Sequence, residues 1–150
     1  VTRIRQDDYL LVDGYNIIFA WDELKAIAAE DVNAARERLV NIMSNYQGVR
    51  RCHLILVFDA YKVKGGTGSV EKRHGIHIVY TREAETADMY IEQASYDLSR
   101  KHRVRVATSD GMEQMIILGH GAERMSATEL KWEVEQADEH LHGIIQNLQP

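Results

Sequence analysis

Four short runs rich in Val, Ile and Tyr punctuate the chain at Tyr9 to Val12, His53 to Phe58, Ile76 to Thr81 and Val104 to Ala107, with helical patterns between them. Few folds are open to such a chain. Parallel neighbours need long crossover connections, and the sheet they form must be covered on both faces. The alternation predicts an α/β domain of three layers, α/β/α, around a central, mainly parallel sheet. Between the first two strands Val32, Ala35, Leu39, Ile42, Met43 and Tyr46 share one helical face, with Asp31 as N-cap. After the third, Ala87, Ile91, Ala94 and Leu98 repeat the pattern behind Thr86, and after the fourth a short apolar stretch, Met112 to Leu118, stops at Gly119. Ser126-Ala127-Thr128-Glu129 is a capping box ahead of Leu130, Val134, Ala137, Leu141, Ile144 and Leu148. The segment Tyr61 to Gly75 has neither period and is expected to be an irregular loop. It is basic: Lys62, Lys64, Lys72, Arg73 and His74 stand against Glu71 alone.

A length of 150 residues predicts one domain, residues 1–150, with its core over about 9–148. Cys52 is the only cysteine, which rules out an internal disulfide or a cysteine-built zinc cage and is expected to be a small core or edge residue. No run approaches a membrane span and the first residues lack a signal peptide's apolar core, so a soluble, cytoplasmic protein with no membrane partner is expected. A net charge of −5 argues against electrostatic binding of nucleic acid over the whole surface and leaves room only for a local basic patch.

In parallel α/β sheets ligands bind beyond the carboxyl ends of the strands. Those ends are acidic here: Asp13 closes the first strand, Asp59 the second and Asp110 follows the fourth, while the third leads to Glu85 and Asp88 around a helix start. Any one of these starts a turn or complements a helix dipole without further meaning. Their recurrence at one sheet edge is the signal, because like charges crowd together only where a cation neutralises them. Oxygen donors with no cysteine point to Mg²⁺ or Mn²⁺ and to metal-assisted phosphodiester hydrolysis. Walker, dinucleotide and GxSxG signatures are absent. The pairs His74/His77 and His140/His142 sit in polar stretches and read as solvated surface.

DGYN at Asp13 to Asn16, VFDA at Val57 to Ala60, ETAD at Glu85 to Asp88, and ATSD followed by Glu113-Gln114 together resemble, in this order, the YacP-like branch of the NYN domains, which group with the PIN-like nucleases. The resemblance runs from about Tyr9 to Leu141. It implies a PIN-like fold and a metal-dependent endoribonuclease for single-stranded RNA, with Asp13, Asn16, Asp59, Asp88 and Asp110 catalytic. Asp13, Asp88 and Asp110 would be the principal Mg²⁺ or Mn²⁺ ligands, with Asp59 and Glu85 in support, and Asn16 would orient a ligand, water or phosphate. Some relatives are ribosome-associated mRNA endonucleases, so mRNA and a translating ribosome are implied partners. Tyr15, Tyr61 or Trp21 are candidates to stack bases, and Lys62, Lys64, Lys72 and Arg73 to hold the RNA backbone. One rival is a catalytically silent RNA- or ribosome-binding module, against which the retained acids count. Another is a phosphatase of the haloacid dehalogenase type, against which Tyr15 counts, because it stands where that chemistry needs a second Asp.

Overall fold

In the computed structural model, which describes residues 4–60, 67–111 and 121–148, the apolar run at the start becomes β1 (Tyr9–Asp13). Leu10 and Val12 enter the larger apolar cluster on one face of the sheet, and Leu11 enters the smaller one on the other. A strand buried on both sides has to be central. β2 (His53–Phe58) and β5 (Val104–Ala107) flank it in parallel, with Tyr9 opposite His53 on one side and Val104 on the other. With β3 (Ser69–Arg73), β4 (Ile76–Tyr80) and β6 (Glu123–Met125) the sheet has the order β3-β4-β2-β1-β5-β6, and only β3 runs antiparallel.

The helices cover both faces, as a three-layer domain requires. α1 (Gly14–Ala20), α2 (Asp22–Glu30), α3 (Val32–Arg50) and α5 (Ala127–Leu148) bury Ile17, Ile18, Leu24, Leu39, Met43 and Leu130 on the larger cluster. α4 (Ala87–Ser99) lays Ala87 and Ile91 on the opposite face. The expected caps are formed. Asp31 accepts from the Asn33 amide at 2.9 Å and Thr86 from the Met89 amide at 3.2 Å. Ser126 and Glu129 complete the capping box, each accepting from the other's backbone amide.

Four features depart from the sequence expectation, the first being the short strand β6 where none was expected. The supposed loop after β2 contains β3, a strand of exposed residues joined to β4 through a turn at His74-Gly75; a charged edge strand has no apolar face to show a period. Two helices, α1 and α2, occupy a stretch where no helix was expected. Finally, α5 buries Leu130, Glu133 and Ala137, but Leu141, Ile144 and Leu148 are exposed. At 22 residues it spans about 33 Å, whereas the strands beneath reach only about 20 Å, so its last turns run past the layer they would cover. The stretch Met112 to Leu118 lies outside the described residues. No helix among those described is long and apolar enough to cross a membrane.

Cys52 is buried where α3 turns into β2, and burial pushes its thiol up to about 12. The reactive species is the thiolate, so a thiol reagent at pH 8 is expected to leave Cys52 unmodified in the folded protein and to titrate it fully in denaturant. Rapid native-state labelling would place it at the surface.

Candidate active site

The carboxyl ends of β1, β2 and β5 lie side by side, and so do the residues that follow them. Asp13 is the last residue of β1 and is 7% exposed. Gly14 follows because no larger residue fits: a Cβ there would lie 2.4 Å from the Phe58 ring and 2.9 Å from the Val57 carbonyl. The chain can therefore start α1 directly against β2, which sets Tyr15, Asn16 and Phe19 facing the sheet edge.

An open cleft of about 520 Å³ results, lined by Asp13, Tyr15, Asn16, Phe19, Ala20, Asp59, Thr86, Ala87, Asp88 and Ser109. Three carboxylates from three separate segments thus line one cleft together with the Asn16 amide. The Ser109 backbone amide donates to Asn16 Oδ1 at 2.5 Å, which locks α1 to the β5 exit. With its oxygen so used, Asn16 offers the cleft its NH₂ group, a donor among acceptors. Thr108 holds the same exit from inside. Fully buried, it donates from its amide to the Met125 carbonyl at 2.9 Å, its hydroxyl reaches Asp13 Oδ2 at 3.5 Å, and the Asp110 amide donates to that hydroxyl at 3.1 Å. Thr81 does likewise for β2, accepting from the Ala60 amide at 2.9 Å just after Asp59. Sequence reasoning passed over Thr108 and Thr81 because hydroxyl residues after a strand are ordinary turn formers; only the cross-strand bonds reveal them.

Other expected site residues are placed differently. Asp110 follows Ser109 at the margin of the cleft, outside its lining. Glu85 faces a neighbouring cavity with Arg82, Tyr80 and Tyr90, accepts from the Arg82 amide at 3.3 Å, and adds its charge to the burial that raises the Tyr90 phenol. Trp21 is 7% exposed and donates from Nε1 to the Ala127 carbonyl at 2.8 Å, so it is a core residue and not a base platform. The Tyr15 hydroxyl accepts from Arg36 Nη1 at 2.8 Å, which fixes its half-buried ring in the cleft wall. Lys72 and Arg73 pair with His77 and Ile76, at the amino end of β4, roughly 10–13 Å along the strand from the acidic edge. There Arg73 is bonded to Glu37 at 2.5 Å. Tyr61, Lys62, Lys64, Glu113 and Gln114 lie outside the described residues. The four histidines of the two pairs are exposed.

Among the described residues no three Asp, Glu, His or Cys side chains stand close enough to form a ready-made ion cage. The donor set nonetheless fits a hard, hydrated cation. Asp13, Asp59 and Asp88 present only oxygen to a cleft with room for water, and Mg²⁺ characteristically takes one or two carboxylates and keeps several waters.

Acids at the carboxyl edge of a three-layer, mainly parallel sheet are the layout of a PIN-like nuclease domain, and the chain belongs to the YacP-like NYN domain family, whose model matches residues 10–149. It is 41% identical to YacP of Bacillus subtilis (strain 168) over 145 residues, which cover 94% of this chain and 83% of that one. Two crystal structures of Rae1 (YacP) from Bacillus subtilis have the same fold. A single-substitution variant matches with a TM-score of 0.81 at 38% identity, covering 94% of this chain and 83% of that one. The other matches with a TM-score of 0.79 at 40% identity, covering 94% and 81%. The chain is thus a nuclease-family domain, with RNA the substrate class its family suggests.

Proposed function

We propose that the protein is a metal-dependent endoribonuclease that hydrolyses phosphodiester bonds in single-stranded RNA. The observation that carries this reading is that Asp13, Asp59, Asp88 and the Asn16 amide line one open cleft. A module that only bound RNA would gain nothing from concentrating negative charge where phosphate must approach. Asp13, Asp88 and Asp110 would be the principal Mg²⁺ or Mn²⁺ ligands, with Asp59 in support. A cation held there would supply Lewis-acid chemistry, lowering the pKa of water and offsetting charge on a phosphate. The Asn16 NH₂ would donate to a phosphate oxygen or to water, beside an Asp13 carboxylate that the Thr108 hydroxyl approaches to 3.5 Å. Lys62 and Lys64 follow Asp59 by three and five residues and are proposed to hold the RNA backbone. On the resemblance to ribosome-associated endonucleases, the natural substrate is proposed to be mRNA on a translating ribosome in the cytoplasm.

Labelled single-stranded RNA and matching DNA, incubated with Mg²⁺, Mn²⁺ or EDTA, test the reading. Internal cuts in RNA that depend on metal are expected; binding without cutting, on free RNA and on translating ribosomes alike, would make the protein a silent module. Independently, Mg²⁺ or Mn²⁺ is expected to stabilise the wild type by about 1.4 kcal/mol at tenfold its dissociation constant. The double variant Asp13→Asn/Asp88→Asn should show no such stabilisation. Equal shifts in melting temperature for the two proteins would put the metal elsewhere.

A further inference from the structure

Phe19, in the last turn of α1, stands at the rim of the acidic cleft with 54% of its surface exposed. Its ring is nonetheless held in place from below. Phe19 lies on Tyr15 with ring centroids 6.5 Å apart and planes 26° from parallel, Tyr15 meets the buried Phe58 edge-on at 5.3 Å, and Phe58 stacks on Tyr80 at 5.8 Å. The Arg36 guanidinium donates to the Tyr15 hydroxyl at 2.8 Å, which restrains the ring next to Phe19. Four aromatic side chains thus form a ladder that runs from half-buried Tyr80 through the buried Phe58 and surfaces at the cleft lined by Asp13, Asp59 and Asp88.

We infer that Phe19 is the stacking platform for an unpaired nucleobase next to the bond that is cut, an inference that rests on the ribonuclease reading above. Three features favour a base as the occupant. A flat π-face set in advance loses little entropy when a planar ligand stacks on it. The acidic cleft beside it repels a nucleotide's phosphate until a cation intervenes, so an uncharged foothold is what a strand needs there. Stacking also requires a base splayed out of any duplex, which makes Phe19 a selector for single strands. Trp21 and Tyr15, the aromatic residues closest to it in sequence, are already committed to the core and to Arg36.

Cleavage kinetics on single-stranded RNA with Mn²⁺ test the subsite. Phe19→Ala is expected to raise KM about tenfold to a hundredfold, the range that loss of one base–aromatic stack produces, with kcat changed far less. Phe19→Trp should stay near wild type, and both variants should melt within a few degrees of it. In a scan of substrates that each carry one abasic nucleotide, a single position near the cut should be sensitive for the wild type and insensitive for Phe19→Ala. An unchanged KM, or an abasic profile that Phe19→Ala leaves intact, overturns the subsite while the ribonuclease reading stands. Wild-type protein that cuts no RNA under any condition overturns both. A Phe19→Ala defect confined to ribosome-bound mRNA, with free RNA cut normally, places a protein surface against the ring and likewise overturns the subsite.

Discussion

Asp13→Asn and Asp88→Asn are each expected to lower the rate of RNA cleavage by more than about 100-fold, beyond the 10–100-fold typical when only the support of a metal ligand is lost. The amide is isosteric with the carboxylate, so the cleft keeps its shape while one hard anionic donor disappears. Stability should move the other way or not at all. Asp13, Asp59 and Asp88 line one cleft, and in EDTA, with the cation withdrawn, removing one of these like charges relieves their mutual repulsion. Asp88 is exposed in the first turn of α4, where loss of its favourable interaction with the helix dipole offsets that gain by about 0.3–1 kcal/mol. Melting curves in EDTA together with cleavage rates in Mn²⁺ separate the two effects. A variant that melts well below wild type in EDTA has lost a structural residue, and its inactivity then says nothing about metal binding.

Glu133→Ala is expected to destabilise the fold by about 3–5 kcal/mol, the usual cost of leaving a buried ion without its partner. Glu133 is 1% exposed between α5 and α3. The Tyr46 hydroxyl donates to its Oε2 at 2.8 Å, and Arg50 Nε stands 3.9 Å from the same oxygen with no hydrogen bond of its own. Burial, followed by the Glu133 charge, pushes the Tyr46 phenol far above its ordinary value, so it remains a donor throughout the accessible pH range. Truncating Glu133 strands both the phenol and the guanidinium in the core. For a domain of this size the melting temperature should fall by roughly 10 °C or more. The combined replacement Tyr46→Phe, Arg50→Met, Glu133→Leu should recover most of that loss, because an apolar set of similar volume needs no partners. If Glu133→Ala melts within 2 °C of wild type, water reaches the triad and the ion pair is not buried in solution.

Glu133 also marks where reading the sequence stops. Its place on α5, three residues after Leu130 and four before Ala137, lies on the buried stripe, yet a glutamate there reads as surface because its partners, Tyr46 and Arg50, are about 85 residues away. The same limit separates the legible parts of the fold from the rest. β1, β2, β4 and β5 were readable because each is buried on at least one face and so carries a dense run of apolar residues. α3, α4 and α5 were readable because an amphipathic period and a side-chain cap are both local. β3 and β6 were not, since short edge strands are defined by the neighbour they pair with. α1 was not, because its β-branched and aromatic residues favour strand locally, and Gly14 pressed against Phe58 and the burial of Ile17 and Ile18 decide for helix; α2, rich in Ala, Leu, Glu and Lys, was passed over although Leu24 and Ala28 mark its buried face. At the site, the sequence determined which acids follow which strands, and strand order alone carried Asp13, Asp59 and Asp88 to one edge. The tertiary structure decided what a strand's end cannot specify, namely where the side chain next to it points. It turned Glu85 into a neighbouring cavity, set Lys72 and Arg73 at the far end of β4, buried Trp21, and brought Phe19 to the rim. Proximity along the chain determines which residues reach an edge, but packing across the sheet determines which of them face the same cleft.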